Sequence, residues 1–252
     1  MSGHSKWATI RRSKAANDAK RGKLFTKVGH EIVVAVREGG PDPESNVSLR
    51  MALDKARKAN MPKDNITRAI KRGTGELRDQ GEIVEAYYEG YGPHGTAIMV
   101  KTVTDNRNRA VSEIRHVFSR YGGNLGSEGC VAWMFSQKGR IEIEPGAEDP
   151  EEIALIAIDS GAEDVEIGEE LVEVYTEVAD FKKVQDTLSE GYELANSELA
   201  WIPQSTTAPG EKETIQTMKL IEALEDLDDV QQVYSNLEIS DDVVAKYEQQ
   251  AA

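Results

Sequence analysis

Residues 141–200 decide the fold of this chain: IEIEPGAEDPEEIALIAIDSGAEDVEIGEELVEVYTEVADFKKVQDTLSEGYELANSELA. Short runs rich in Val, Ile and Leu predict strands, at 141–144, 165–168, 171–176 and 194–200. Apolar residues at helical spacing predict two helices, 150–160 and 179–190. The resulting order, βαββαβ, is that of a ferredoxin-like domain.

A second arrangement of the same kind becomes visible when this unit is lifted out of the chain. Before it, the sequence predicts a strand, a helix and a strand, at 96–104, 107–120 and 130–135. After it come a further strand, helix and strand, at 201–207, 212–224 and 230–235. We therefore expect an α+β protein with two ferredoxin-like α/β domains, one inserted into the other. The outer domain takes residues 82–136 plus 201–240, and the inserted one 137–200.

The first part of the chain predicts a basic arm followed by a three-helix domain, together residues 1–75. Gly39, Gly40 and Pro41 stop the first helix, and Ser45 and Asn46 are both good N-caps for the second. The third helix ends at Gly73. The faces of helices 2 and 3 that point away from the core carry Arg57, Lys71 and Arg72, so this domain has a basic exterior.

Charge is distributed very unevenly along the 252 residues, whose net charge is −15. Residues 1–72 carry 17 Lys and Arg against 7 Asp and Glu, a net +10. Residues 135–252 carry 7 against 30, a net −23. A polyanion would be attracted by the first part and repelled by the last.

Residues 1–27 hold eight Lys and Arg but one acid, Asp18, and too little apolar surface to fold alone. The alternatives are a solvated tail and a nucleic-acid-binding arm. Trp7 suits either stacking on a base or packing against helix 1. On the second alternative the expected contacts of this arm are Lys6, Trp7, Arg11, Arg12, Lys14, Lys20, Arg21 and Lys27.

Arg107 and Arg109 lie in the first turn of the predicted helix 107–120. Cations there oppose the helix dipole, a cost of about 0.3–1 kcal/mol each, which a functional contact with phosphate would explain. The alternative is local ion pairing, of Arg109 with Glu113 and of Arg107 with Asp105.

Several other classes of protein are not indicated by the sequence. The single Cys130 allows no internal disulfide, and the histidines are not at metal-ligand spacing. Gly90-x-Gly92-x-x-Gly95 precedes a strand, whereas a dinucleotide site needs a helix there. We expect no enzyme, cofactor or metal, and neither a signal peptide nor a membrane span, hence a cytoplasmic monomer.

Five ordered motifs resemble the YebC/PmpR family, to which the mitochondrial translational activator of cytochrome c oxidase is also similar. They are Gly3-His-Ser-Lys-Trp7, Lys20-Arg-Gly-Lys-Leu-Phe-Thr-Lys27, Ala59-Asn-Met-Pro-Lys-Asp-Asn-Ile66, Asp105-Asn-Arg-Asn-Arg109 and Gly122-Gly-Asn-Leu-Gly126. The resemblance spans nearly the whole chain and implies a helical domain followed by two α/β domains. It also implies that nucleic acid is contacted by the basic residues of the arm and by those on the exterior of helices 2 and 3, namely Arg57, Lys71 and Arg72. His94 departs from the family pattern, in which glycine is commoner at this position.

The resemblance implies two activities, and both need nucleic acid rather than catalysis. One is a ribosome-associated translation factor that relieves stalling at proline-rich stretches. The other is a DNA-binding transcriptional regulator. The sequence favours ribosomal RNA as the partner, with DNA as the alternative, because helices 1 to 3 show no helix-turn-helix pattern. A third hypothesis is a protein–protein adaptor that works through the acidic domain.

Overall fold

The computed structural model describes residues 21–77, 83–168, 171–240, 242–244 and 246–247. Its helices are α1 (Arg21–Gly39), α2 (Val47–Lys58), α3 (Lys63–Gly73), α4 (Arg107–Arg120), α5 (Pro150–Ser160), α6 (Phe181–Gly191) and α7 (Glu211–Glu225). Its strands are β1 (Val84–Tyr91), β2 (Ala97–Thr104), β3 (Asn124–Leu125), β4 (Phe135–Ile143), β5 (Asp164–Ile167), β6 (Val172–Thr176), β7 (Leu194–Pro203) and β8 (Val230–Ser235). Within these ranges no helix is long and apolar enough to cross a membrane.

The helical unit is built on α1, against which α2 and α3 both pack. Its buried residues Ile32 and Leu49 are fully inaccessible to solvent. The side chain of Asn46 caps α2 by accepting the Leu49 N–H at 3.0 Å. The same side chain donates to the Ala35 carbonyl at 2.8 Å and to the Gly40 carbonyl at 2.9 Å. One buried amide therefore fixes both the end of α1 and the start of α2; of the two predicted N-caps, Asn46 is the one used, and its bonds to the end of α1 were not predicted.

The outer α/β domain contains an antiparallel sheet of order β3-β1-β2-β8. Helices α4 and α7 cover one face, where Ile98 and Val100 of β2 meet Phe118 of α4 and Met218 of α7. The opposite face, with Met99 and Tyr234, packs against the ends of β4 and β7. The sheet is thus buried on both sides, which explains why β2 is almost continuously apolar.

The inserted domain has the sheet order β5-β6-β4-β7, with all neighbouring strands antiparallel. Numbered within the domain, its strands lie in the order 2-3-1-4, the arrangement of a ferredoxin-like βαββαβ unit. Helices α5 and α6 contribute Ile153 and Val184 to a core with Ile141 and Val174. The α+β fold class, with one α/β domain inserted into another, is confirmed.

The strand predicted at 130–135 is wrong, because most of this segment is a turn followed by a short 3-10 helix, Ala132–Met134. The buried carboxylate of Glu89 accepts the N–H groups of Gly129, Val131 and Ala132, at 2.7–2.8 Å. Those N–H groups are therefore unavailable to a neighbouring strand. The outer sheet is completed instead by β1 and the short strand β3, which pair with each other.

The strand predicted at 201–207 belongs to a different sheet from the one expected. Its first three residues extend β7, where Trp201 pairs with Gln137 and Pro203 with Phe135. The outer domain therefore has the element order β1, β2, α4, β3, α7, β8, with the inserted domain between β3 and α7. The antiparallel hairpin of β1 and β2 supplies the strand that a second βαβ unit was expected to provide.

The glycine-rich turn between β1 and β2 is not a phosphate-binding loop of the dinucleotide type. It forms a single 3-10 turn, Pro93–Gly95, and runs directly into β2, as predicted. His94 has φ 61° and Gly95 has φ 80°, both in the left-handed region that favours glycine. His94 therefore occupies a position at which glycine would be less strained.

Charged side chains fill the junction where the helical unit meets the two sheets. Lys55 of α2 lies 3.1 Å from Glu31 of α1 and 3.4 Å from the side-chain oxygen of Asn196 on β7. Glu198, also on β7, accepts a hydrogen bond from Gln232 of β8 at 3.0 Å. Burial raises the pKa of Glu198, whereas Arg140, Lys55 and Lys101 lower it. The three units are thus joined by polar contacts as well as apolar packing.

Candidate nucleic-acid interface

Most residues of the predicted basic arm lie outside the part of the chain that the structure describes. These are Lys6, Trp7, Arg11, Arg12, Lys14 and Lys20. Arg21 is the first residue of α1, but its side chain also lies outside the part of the chain that the structure describes. Their contacts with nucleic acid stay predictions. The described structure shows where the arm is attached, namely at the first residue of α1.

Lys27, another predicted contact, has a structural partner in the C-terminus of α7. Its Nζ donates to the carbonyl of Glu225, and Lys23 Nζ donates to the carbonyl of Asp226 at 2.9 Å. The last carbonyls of a helix have no partner within the helix and carry its negative dipole end. Two lysines of α1 therefore cap α7, and they place the attachment point of the arm beside the end of α7.

The outward side of α3 is positively charged and open to solvent. Lys63, Arg68 and Lys71 are exposed, and none of them forms an ion pair with another described residue. Lys71 was predicted as a contact, whereas Lys63 and Arg68 were not. Arg57 on α2 is also exposed, but it pairs with Asp54 one turn earlier on the same helix.

The C-terminal end of α3 meets the N-terminal end of α4 through a carboxylate. Arg72 lies 3.6 Å from Asp105, and Arg109 lies 3.1 Å from the same residue. This contact brings Arg72, Arg107 and Arg109, three of the predicted contacts, to the same end of the molecule as Lys71. We call the set Lys63, Arg68, Lys71, Arg72, Arg107 and Arg109 the basic face.

Arg109 has a partner that the sequence did not indicate. Its Nε and Nη2 atoms donate to the two carboxylate oxygens of Asp229 at 2.9–3.1 Å, and Asp229 is buried. The hydrogen bonds with Asp229 raise the pKa of Arg109. The alternative in which Arg109 pairs with Glu113 is wrong, because the guanidinium pairs with Asp105 and Asp229 instead. Asp229 precedes β8, 120 residues away, so no local pattern could reveal it.

Arg107 is in a different situation from Arg109, although both lie in the first turn of α4. Its side chain is exposed, and it makes no ion pair with any residue in the described ranges. The alternative in which Arg107 pairs with Asp105 is therefore wrong, since Asp105 binds Arg109 and Arg72 instead. Arg107 can therefore bind an anion, whereas Arg109 mainly stabilises the start of α4 through its ion pairs with Asp105 and Asp229.

His30 lies behind the basic face, at the contact between α1 and β8. Its Nδ1 is 3.3 Å from the side-chain nitrogen of Gln231. Burial lowers the pKa of His30, an effect that Asp229 opposes and Arg72 reinforces. We therefore expect His30 to be neutral at neutral pH, which leaves the positive charge of this region to its lysines and arginines.

The geometry suits a surface that binds polyanions, because cations of α3 and α4 lie close together where Arg72 and Arg109 share Asp105, although Asp64 and Glu113 are exposed on the same two helices. In the described ranges no group of three or more His, Cys, Asp or Glu is placed to hold a metal ion. Fold and surface together define a three-unit α+β protein, with a basic helical unit and a strongly acidic inserted domain.

Comparison with known families identifies the family to which this three-unit protein belongs. The model described as "TACO1/YebC protein N-terminal domain" matches residues 5–76, and "TACO1/YebC second and third domain" matches residues 83–237. The chain belongs to the TACO1/YebC family, as its motifs indicated.

Relatives of similar length are named for a role in transcription. A "probable transcriptional regulatory protein" of Dehalococcoides mccartyi is 49% identical over 252 residues, which is 100% of both chains. One of the same name from Pelotomaculum thermopropionicum is 50% identical over 244 residues, 96% of this chain and 100% of that one. The crystal structure of a conserved hypothetical protein from Aquifex aeolicus is similar with a TM-score of 0.80. It is 49% identical, and the match covers 89% of this chain and 93% of that one.

Proposed function

We propose that this protein is a nucleic-acid-binding regulator of gene expression that acts without catalysis. The observation that carries the proposal is the basic face, which gathers six cations from α3 and α4 on a chain whose net charge is −15. Such a concentration of positive charge is the usual footprint of phosphate binding. The acidic inserted domain would be repelled by the same polyanion and would point away from it.

DNA is the partner that the relatives favour, since they are named as probable transcriptional regulators. The connection between α2 and α3 supports this candidate, because its four residues, 59–62, have the length typical of a helix-turn-helix, although the sequence pattern of helices 1 to 3 did not indicate one. In that arrangement the second helix enters the major groove. Here it is α3, whose exposed side carries Lys63, Arg68 and Lys71.

A translation factor that associates with the ribosome and relieves stalling at proline-rich stretches is the second candidate. The composition of residues 1–27 favours it, because a strongly cationic segment with a single tryptophan suits irregular RNA. Both candidates use the same basic residues. They differ in the nucleic acid that is bound, DNA or ribosomal RNA. They also differ in the process that fails when those residues are replaced, which is control of transcription or translation of proline-rich stretches.

The test measures both processes with the same protein. Lys71→Ala combined with Arg107→Ala removes two exposed cations of the basic face without touching a described ion pair. Lys183→Ala on α6 is the matched control, since Lys183 is an exposed cation of the acidic domain and pairs with no described residue.

A DNA-binding regulator predicts that the double variant loses a promoter footprint while translation of proline-rich messages stays normal. The translation candidate predicts the opposite pattern. Unchanged binding of both DNA and RNA by the double variant, at equal salt concentration, would contradict the basic face as the binding surface. Binding that is also insensitive to salt would favour a protein–protein adaptor instead.

A further inference from the structure

Trp133 is the most exposed of the large apolar side chains in the described structure. Its side chain is 67% exposed, and it sits on the connection between β3 and β4, just before β4 begins. Exposing an indole to water forgoes the burial that usually makes tryptophan stabilising. The outer domain has a large core close by, in which Val131 and Phe135 are buried. An apolar core that could bury the indole is therefore nearby, and the exposure of Trp133 needs another explanation.

The loop that carries Trp133 is held by a buried carboxylate rather than by strand pairing. Glu89 is 7% exposed, and its two oxygens accept the N–H groups of Gly129, Val131 and Ala132. A carboxylate that accepts three backbone hydrogen bonds fixes the path of the chain strongly. Gly126 reinforces this path, since its N–H donates to the Glu89 carbonyl at 2.8 Å. The indole is thus presented from a firmly anchored loop.

The polar edge of the indole is already satisfied within the loop. Its Nε1 donates to the carbonyl of Cys130 at 3.1 Å, and the hydroxyl of Tyr91 donates to the same carbonyl at 2.8 Å. Trp133 therefore offers a partner no hydrogen-bond donor. What it offers is the flat apolar surface of a ring whose orientation is fixed by its own hydrogen bond.

The surroundings of Trp133 favour a flat aromatic ring over a folded protein as the partner. The core of a protein interface gathers several apolar side chains around an aromatic anchor. In the described chain the other exposed large apolar residues are Leu24, Leu155, Ile158, Ile167 and Val178, and none lies in this loop. The exposed neighbours at 126–129 are Gly, Ser, Glu and Gly. The indole is thus the exposed large apolar side chain of a loop whose other exposed residues are Gly, Ser and one acid, Glu128, which suits the stacking of a single ring rather than a broad apolar interface.

We propose that Trp133 is a stacking platform for an unpaired nucleobase of the bound nucleic acid. This inference rests on the proposed function and deepens it, since it adds a contact with a base to the contacts of the basic face with phosphate. Every base has an aromatic face, so recognition at Trp133 is tolerant of sequence. The unpaired base comes either from single-stranded DNA or from RNA, and the two share this chemistry.

The experiment compares Trp133→Ala and Trp133→Phe with the unaltered full-length chain. The probes are oligouridine, oligothymidine, an oligonucleotide of the same length with abasic spacers throughout, and a blunt DNA duplex. Trp133→Ala should weaken binding to the base-bearing single strands by about five-fold or more, the range found for loss of one base–aromatic stack. It should leave binding to the abasic strand and to the duplex unchanged. Trp133→Phe should retain most of the affinity.

A greater loss on oligouridine than on oligothymidine would assign the base to RNA, and the reverse would assign it to single-stranded DNA. Equal affinity of Trp133→Ala and the unaltered chain for both base-bearing strands would overturn the inference alone. So would an equal loss on the abasic strand. Failure of the unaltered chain to bind any probe would overturn the proposed function and this inference together.

Glu89→Gln provides a second variant that leaves the indole in place. An amide can accept fewer of the three N–H groups and carries no charge, so the loop should hold Trp133 less firmly. Affinity for oligouridine should fall to a value between those of the unaltered chain and Trp133→Ala, with no change on the abasic strand. Full affinity in Glu89→Gln, together with normal thermal unfolding, would show that the anchored loop does not contribute.

Discussion

Arg109 and Asp229 form a two-point ion pair between the first turn of α4 and the residue before β8. The carboxylate is almost fully buried, whereas about half of the arginine side chain is exposed. The backbone carbonyl of Asp229 also accepts the N–H of Val103 at 2.9 Å. One buried acid therefore ties together β2, α4 and the start of β8. It also makes Arg107, rather than Arg109, the arginine of the motif Asp105–Arg109 that has no ion pair with a described residue.

The two arginines of this motif should behave oppositely when each is replaced. Arg109→Ala leaves the Asp229 carboxylate buried without its main partner, and should lower the free energy of unfolding by about 2–3 kcal/mol. Arg107→Ala removes an exposed side chain with no described ion pair, and should change it by less than about 0.5 kcal/mol. Urea denaturation of the two variants measures both values. Equal destabilisation by the two changes would contradict the roles assigned here.

Phosphate contacts should be visible in the salt dependence of binding. Each neutralised phosphate makes log K fall with log salt by a slope of about 0.9 on duplex DNA, or about 0.7 on single strands. Arg11→Glu with Arg12→Glu should flatten the slope by about two contacts and weaken all sequences alike. Titrations at several salt concentrations measure the slope. An unchanged slope would identify residues 1–20 as a tail that does not contact phosphate.

Local patterns predicted most of the elements, and the errors arose where distant residues determine the structure. The helix 107–120 was predicted with its observed limits, because its caps and apolar stripe lie within its own sequence. The composition of residues 130–135 predicted a strand just as clearly. That prediction was wrong because Glu89, some forty residues earlier, binds the backbone groups that a strand would need.

The candidate site shows the same division between local and distant information. Lys71 and Arg107 were predicted as contacts from the sequence and both are exposed, but the contact of Arg72 with Asp105 that brings α3 beside α4 was not predicted. The roles of Lys27 and Arg109 could not, because their partners Glu225 and Asp229 are 198 and 120 residues away. Trp133 was also missed, since exposure of a tryptophan within an apolar run, VAWMF, has no signature in the sequence.

Stability should depend on pH through His30. Burial lowers its pKa in the folded state below the usual value of 6.5, so the unfolded chain binds a proton more readily. The contribution of His30 to stability is therefore fully present above about pH 6.5 and is lost as the pH falls through that value towards the lower folded pKa. Chemical denaturation at a series of pH values should show this loss for the unaltered chain and less of it for His30→Gln. Identical pH profiles would show that His30 does not titrate differently in the two states.

The inserted domain should fold when residues 137–200 are expressed alone, because its core is complete within these limits. The buried residues of that core, among them Ile141, Val174 and Leu188, are supplied by β4, β6, α5 and α6. The sheet continues further, with Phe135 pairing Pro203, but these ends pack on the outer domain beside Met99 and Tyr234. A longer fragment, 135–203, should therefore expose apolar surface and self-associate more, without greater stability per molecule.

Circular dichroism and amide chemical-shift dispersion test folding of the shorter fragment, and sedimentation compares the association of the two. The full-length chain with residues 137–200 replaced by a short Gly-Ser turn is the complementary sample, and it should retain helical and sheet signal. Its outer sheet should be weakened, because the replacement removes Ala200 and most of the strand β7 that holds Trp201, and both residues normally cover the face that contains Tyr87 and Tyr234. An unfolded 137–200 fragment beside a folded 135–203 fragment would move the domain boundary outward. Two unfolded fragments would show that the inserted domain needs the outer one in order to fold.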